Sequence, residues 1–242
     1  MIEYYKKRGE TPLQALNRLR TERKDLENET LSYAGRLDPM AEGILPVLVG
    51  REENKSRKDF LSKDKEYEAH FLIGCSTDTG DVLGVIQESD FSEINTNTLL
   101  KAIESLVTIK EQTYPWYSSK TVHGIPLFEY ARSGNFDIER PKRKIEIYSV
   151  SHIKIIKVNT EEIVVENIKD IEKVEGDFRQ EEIIRGWNTL LLDSRLYRDD
   201  TLLVSCVLRV SSGTYIRGIT EYITSIIGLP VVLERLIRTG VF

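Results

Sequence analysis

Between Leu31 and Gly50 the chain reads Leu-Ser-Tyr-Ala-Gly-Arg-Leu-Asp-Pro-Met-Ala-Glu-Gly-Ile-Leu-Pro-Val-Leu-Val-Gly. One carboxylate, Asp38, sits in a loop built from Gly35, Pro39, Gly43 and Pro46, and an apolar run, Ile44 to Val49, follows directly. Glycine and proline at this spacing set backbone angles that other residues do not hold. Two readings fit. One is a catalytic acid mounted rigidly beside a strand. The other is an aspartate that caps a turn ahead of a proline.

A chain of 242 residues is long enough to bury a real core and suits one large domain or two small ones. With 40% hydrophobic and 30% charged residues it reads as globular rather than disordered. No apolar run approaches the ~20 residues that span a bilayer. The N-terminus, Met1 to Arg8, carries charge with no apolar segment behind it, so a secretory signal is not expected. Cys75 and Cys206 lie far apart and fit a reducing cytoplasm. They lack metal-ligand spacing, and with three scattered histidines a zinc site is not expected. A net charge of -5 and a pI near 5.5 argue against nucleic-acid binding by general electrostatics and leave room for a local basic groove.

Thr11-Pro12 followed by Leu13, Leu16 and Leu19 predicts a helix with Thr11 as N-cap and Pro12 at its first position. Arg51 to Asp64 reads as a charged surface helix. Lys65 to Gly74 alternates as a strand, with Tyr67, Ala69, Phe71 and Ile73 on one face and Glu66, Glu68, His70 and Leu72 on the other. A polar turn from Cys75 to Asp81 and a strand from Val82 to Ile86 complete a hairpin. A helix carries Leu99, Leu100, Ile103 and Leu106. The aromatic loop Tyr114-Pro115-Trp116-Tyr117 suits core packing or base stacking. Leu127 to Arg132 reads as a short helix ending at Gly134. Strands are expected at Ile145 to Val150, Ile153 to Val158, Ile163 to Val165 and Leu202 to Val210. A helix runs from Tyr215 to about Ile227 and stops at Gly228-Leu229-Pro230. Paired strands with helices between the pairs favour α+β with a mixed or antiparallel sheet over a doubly wound fold.

Several blocks recur together in one family. Gly35 to Pro46 is similar to the catalytic-aspartate block of the TruB family of tRNA pseudouridine synthases. Lys65-Glu66-Tyr67 with Gly74 to Asp81 resembles a second block. Gln112 to Pro115, Ser118 to Lys120, Gly124 and Leu127 to Arg132 resemble a third. Ser211-Ser212-Gly213-Thr214-Tyr215-Ile216-Arg217 resembles a fourth, and Leu236 with Arg238-Thr239 a fifth. Each is weak alone; five in order are specific.

The resemblance implies the pseudouridine synthase fold: a mixed, mostly antiparallel sheet flanked by helices around an RNA-binding cleft. It implies isomerisation of the T-loop uridine of tRNA without cofactor or metal, by a soluble, cytoplasmic and monomeric enzyme. Asp38 would act as nucleophile or base at the anomeric carbon. Arg217 would pair with Asp38 and orient it, since opposite charge favours the ionised acid. Tyr67 would stack on the flipped base. Tyr215 and Leu236 would wall the pocket, and Lys120 would line it or contact phosphate.

The chain also departs from the family pattern. Tyr33 stands where the family has histidine, and Arg36 replaces the usual threonine, as in ribosomal-RNA pseudouridine synthases of the same superfamily. Both bear on substrate-loop contacts. The segment around 159–200 is longer than the family core requires. The chain ends where many members begin a PUA domain, so a single catalytic domain without PUA is expected. Lys6 to Arg8 and Arg140 to Lys144 are the candidates for a basic groove. The alternative functions are the same chemistry on another RNA, and a tRNA-binding or remodelling protein with little catalysis.

Overall fold

The computed structural model describes residues 1–193 and 198–242; part of the expected 159–200 segment, residues 194–197, lies outside them. The chain opens with β1 (Ile2–Lys6) and α1 (Pro12–Glu22). The expected cap is present as a reciprocal pair: Gln14 N–H donates to the Thr11 hydroxyl at 3.2 Å, and Thr11 N–H to the Gln14 side chain at 2.6 Å. β2 (Leu31–Tyr33) and β3 (Ala41–Val49) bracket the Asp38 loop. The charged stretch expected as one helix forms two, α2 (Gly50–Lys55) and α3 (Arg57–Ser62). Neither buries a residue, so no packing holds them as one continuous helix.

Next come β4 (Lys65–Ile73), β5 (Cys75–Thr77) and β6 (Ile86–Ser89). The expected hairpin forms, but its second strand starts later than Val82. The Asp78 carboxylate accepts the Val85 N–H at 2.9 Å and the Asp78 N–H donates to the Val85 carbonyl at 3.0 Å, which closes residues 78–85 as a loop. α4 (Thr96–Glu104), β7 (Glu111–Thr113), β8 (Thr121–Val122), β9 (Ile125–Pro126), α5 (Leu127–Arg132) and β10 (Lys142–Lys144) follow. Two further expected strands are one, β11 (Ile147–Asn159), with a register shift between Ser151 and Lys154. α6 (Thr160–Ile171), α7 (Gln180–Leu192), β12 (Asp200–Val210), α8 (Ile219–Ile227) and β13 (Val231–Val241) complete the chain, and left-handed Gly228 ends α8.

The expected strand Ile163 to Val165 lies inside α6. Its β-branched residues read locally as strand, but Asn159 caps the helix and Val164, Asn167 and Ile171 bury one helical face. Tertiary burial outweighs the β-propensity.

Seven strands form one sheet in the order β1-β3-β13-β4-β12-β11, with β2 on β3. All pairs are antiparallel except β13 with β3. This is the α+β, mixed and mostly antiparallel sheet that strand pairing predicts. The period-2 alternation of β4 feeds two cores. Phe71 faces α4 and α8 through Leu99, Ile103, Ile219 and Ile223. Leu72, expected on the opposite face, is fully buried there with Val164, Ile183 and Trp187 of α6 and α7. A third cluster packs α1 on β3 through Leu16, Leu19, Leu45 and Val47.

Trp187 is fully buried and donates its indole N–H to the Val82 carbonyl at 3.2 Å. Trp187→Ala should therefore lower stability by about 3–5 kcal/mol in urea unfolding, because it opens a cavity and orphans that carbonyl.

Candidate active site

Asp38 lies three residues before β3, on a loop whose backbone is held by two buried cations. The Lys6 ammonium, with no exposed surface, donates to the Lys7 and Pro39 carbonyls at 3.0 Å each and to the Ala41 carbonyl. Burial lowers its pKa to about 8. The Arg238 guanidinium, 1% exposed, donates to the Ile44 carbonyl at 2.6 Å and the Gly35 carbonyl at 3.0 Å. Both ends of the loop are thereby tied to charged donors, which make stronger bonds than neutral ones. Gly43 allows this approach: its φ is +108°, and a Cβ there would lie 2.3 Å from the Arg238 carbonyl oxygen.

The sheet register gathers the remaining residues at one end. The parallel pairing of β13 with β3 sets Leu236 beside Ala41. On the other side of β13, Arg238 stands opposite Tyr67 of β4, and Tyr67 stands opposite Leu208 of β12. β12 then ends at Val210, and the turn from Ser211 to Thr214 delivers Tyr215 and Arg217 just before α8.

Arg217, 6% exposed, donates from Nε to Asp38 Oδ2 at 2.9 Å. Its other nitrogens reach the Thr79 carbonyl at 2.8 Å and the Tyr117 carbonyl at 2.7 Å. Burial opposes its charge, but Asp38 and Asp81 more than offset this and hold its pKa above the usual value. Asp81 Oδ2 lies 4.0 Å from the same nitrogen. Thr79 hydroxyl and Leu83 N–H donate to Asp81 Oδ1 at 2.8 and 3.0 Å. Burial is the main reason that Asp81 rises to about pKa 6.

The ion pair borders a cleft of about 430 Å³, lined among others by Tyr67, Tyr215, Leu236, Tyr33 and Arg36. Asp38 keeps 40% of its side chain exposed there, while its partner is buried. A second cleft, about 420 Å³, also borders Asp38 and Arg217. It is lined by Thr79, Tyr117, Phe128, Phe178 and Arg179. Seven of the eight residues singled out from sequence thus line the first cleft. Lys120 lines neither, and its ammonium sits 5.4 Å from the centre of the Tyr114 ring. Arg36 is exposed, with one guanidinium nitrogen 3.5 Å from the Tyr33 hydroxyl.

Asp78, Thr79 and Asp81 stand in the second family block with no role assigned from sequence. Their short acidic and hydroxylated side chains read locally as an ordinary polar turn, so the block resemblance is the only signal. Arg238, part of the fifth block, carries no role in the sequence reading and Lys6 reads there as groove surface, because buried lysine and arginine are rare. The expected basic groove at Lys6 to Arg8 does not form. Lys6 points into the protein, and Arg8 pairs with Asp170 at 3.2 Å and Glu234 at 3.0 Å. At the other candidate segment, Arg140 lies over the Trp116 ring at 5.1 Å and donates to the Tyr114 carbonyl. Arg143 donates to the Ser212 carbonyl at 2.9 Å. Tyr114 meets Tyr215 edge-on, with ring centres 5.8 Å apart, and Trp116 meets Phe136 at 4.8 Å. Among the described residues no cluster of three or more His, Cys, Asp or Glu could hold a metal ion.

The raised pKa of Asp81 has a definite sign. Between about pH 4 and 6 the folded state binds more protons than the unfolded chain, so stability falls as pH rises through that window. Asp81→Asn should lose this dependence. Its stability relative to wild type, measured by urea titration at pH 4 and pH 7.5, should improve by on the order of 3 kcal/mol across the interval.

The family model described as "TruB family pseudouridylate synthase (N terminal domain)" matches residues 23–171. A tRNA pseudouridine synthase B of Listeria welshimeri is 28% identical over 240 residues, covering 99% of this chain and 65% of that protein. One of Bacillus licheniformis is 32% identical over 220 residues, covering 90% and 58%. The chain thus spans about three-fifths of the length of these curated relatives. Among solved structures, a chain of a Cbf5-Nop10-Gar1 complex superposes with a TM-score of 0.54 at 17% identity, over 99% of this chain and 48% of that one, which shows a shared fold. A family model spanning more than half of the chain, joined to relatives that align with nearly all of this chain, means that this protein belongs to the TruB family of pseudouridylate synthases.

Proposed function

We propose that this chain converts a uridine of tRNA to pseudouridine, with the T-loop uridine as its target and the T-arm as the element it grips. The observation that carries the reading is the buried Arg217 guanidinium 2.9 Å from a half-exposed Asp38, beside a cleft walled by Tyr67, Tyr215 and Leu236. A cleft of about 430 Å³ is of the size that encloses a single small ligand, as a flipped nucleotide would be. The bacterial relatives are named tRNA pseudouridine synthase B, which supports tRNA as the substrate class.

In this reading the uridine leaves its stack and its base lies against Tyr67, with Tyr215 and Leu236 closing the apolar sides. The bond between N1 of uracil and C1′ of ribose breaks. The base turns and C5 bonds to C1′. C5 loses its proton and N1 gains one, so product and substrate have the same composition. Asp38 serves at C1′ as nucleophile, or as the base that removes a proton; a carboxylate fixed by Arg217 suits both. Arg217 is itself aimed by the Thr79 and Tyr117 carbonyls, so the pair is oriented before substrate arrives. The Arg140–Trp116–Phe136 stack and the exposed Lys142 and Lys144 give a basic, aromatic flank for the RNA backbone despite the acidic whole. The work falls to a soluble, monomeric protein of the cytoplasm in this reading, and no described helix is long and apolar enough to cross a membrane.

A tRNA transcript incubated with the protein should gain pseudouridine at the T-loop position, read by chemical mapping. Asp38→Asn should lower the rate at least about a thousandfold while leaving RNA affinity near wild type. Equal, negligible product from both proteins would sink the enzymatic reading. Modification of other RNAs with an untouched T-loop would refute the target.

A further inference from the structure

The segment between β11 and β12 does more than cover a face of the sheet. Its two helices are joined by a turn, Gly176-Asp177-Phe178-Arg179-Gln180, whose tip borders the second cleft beside Asp38. Arg179 adopts the left-handed backbone conformation, φ +64°, one of three non-glycine residues to do so among those described. Such a conformation costs about 1–3 kcal/mol and persists where the surroundings over-determine it. Here the Asp177 carboxylate accepts the Arg179 N–H, and the Gln180 side chain ties down the Phe178 N–H and the Val174 and Gly176 carbonyls.

From that turn the Arg179 guanidinium grips Asp78 with two nitrogens, at 2.6 and 3.2 Å, and lies 4.4 Å from the centre of the Tyr117 ring. The Tyr117 hydroxyl donates to the same carboxylate at 2.9 Å. Burial and Asp78 push the Tyr117 phenol up to about 12, so it stays a donor. Tyr117 and Thr79, the residue after Asp78, are the two whose backbone carbonyls hold Arg217. One planar cation thus braces both sides of the seat in which Arg217 meets Asp38. A lysine in its place lacks the fork and the stacking face.

We propose that Arg179 is a positioning residue for the isomerisation: through Asp78 and Tyr117 it fixes the two carbonyls that aim Arg217 at Asp38. The catalytic competence of the site thereby depends on the helical segment between β11 and β12. This rests on the activity proposed above, and the test separates the two.

Arg179→Ala and the milder Arg179→Lys are compared with wild type in three measurements. Single-turnover pseudouridine formation on the tRNA transcript should slow about 10- to 100-fold for Arg179→Ala and by less for Arg179→Lys. The dissociation constant for the RNA should stay within about twofold, with an unchanged salt slope. The side-chain Nε–H resonance of Arg217, assigned by its loss in Arg217→Lys, should shift or broaden in both variants. An unmoved resonance overturns the proposal. So does an unchanged rate joined to weaker, more salt-dependent binding, which would make Arg179 a phosphate contact. If wild type leaves tRNA unmodified while the Arg217 resonance still moves, the activity reading fails and the positioning role stands. If Arg179→Ala does not fold, Arg179→Lys carries the same three readouts.

Discussion

The Asp38 loop is held by three buried cations. Lys6 binds the carbonyls of Pro39 and Ala41 on one side, and Arg238 binds those of Gly35 and Ile44 on the other. Arg217 takes the carboxylate itself. Burying three cations beside one small loop is costly unless every one meets well-placed acceptors. Lys6 and Arg238 find theirs among main-chain oxygens, and Arg217 divides its donors between carbonyls and a carboxylate. The half-exposed acid therefore stands on a backbone with little freedom, whereas its partners are shielded from water.

The sheet supplies that arrangement by its order. The one parallel strand pairing of the seven-stranded sheet among the described residues, β13 against β3, brings the end of the chain beside the Asp38 loop, and a close approach at Gly43 makes room for it. β4 lies between β13 and β12, so Tyr67, Leu236 and the turn ahead of Arg217 converge at the same end. A sheet this central needs apolar cover on both faces. α4 and α8 cover one face. α6 and α7 cover the other and also reach the second cleft with the turn that holds Arg179. The same segment contributes core and site wall.

Much of this was legible locally. The Thr11 cap, the alternation of β4, the stop at Gly228 and the short helix at Leu127 all follow from rules that span a few residues. The misreadings have a common cause. Ile163 to Val165 is a run of β-branched residues that the core turns into helix. At Val82 the expected strand gave way because the Asp78 side chain competes for backbone hydrogen bonds across a loop. In each case a contact remote in sequence, or made by a side chain, outweighed local preference.

The sequence by itself determined that a Gly/Pro loop carries Asp38 and that paired strands make an α+β sheet, and its family resemblance grouped Tyr67, Tyr215, Arg217 and Leu236 with that loop. These properties are written in short spacings and in blocks that resemble one family. The long-range geometry came only with folding: the burial of Lys6 and Arg238, the sharing of Arg217 between Asp38 and Asp81, and the reach of Arg179 to Asp78. Each of these joins residues at least about thirty positions apart, and a charged side chain looks like surface until the carbonyls or carboxylate that receive it are brought to its side.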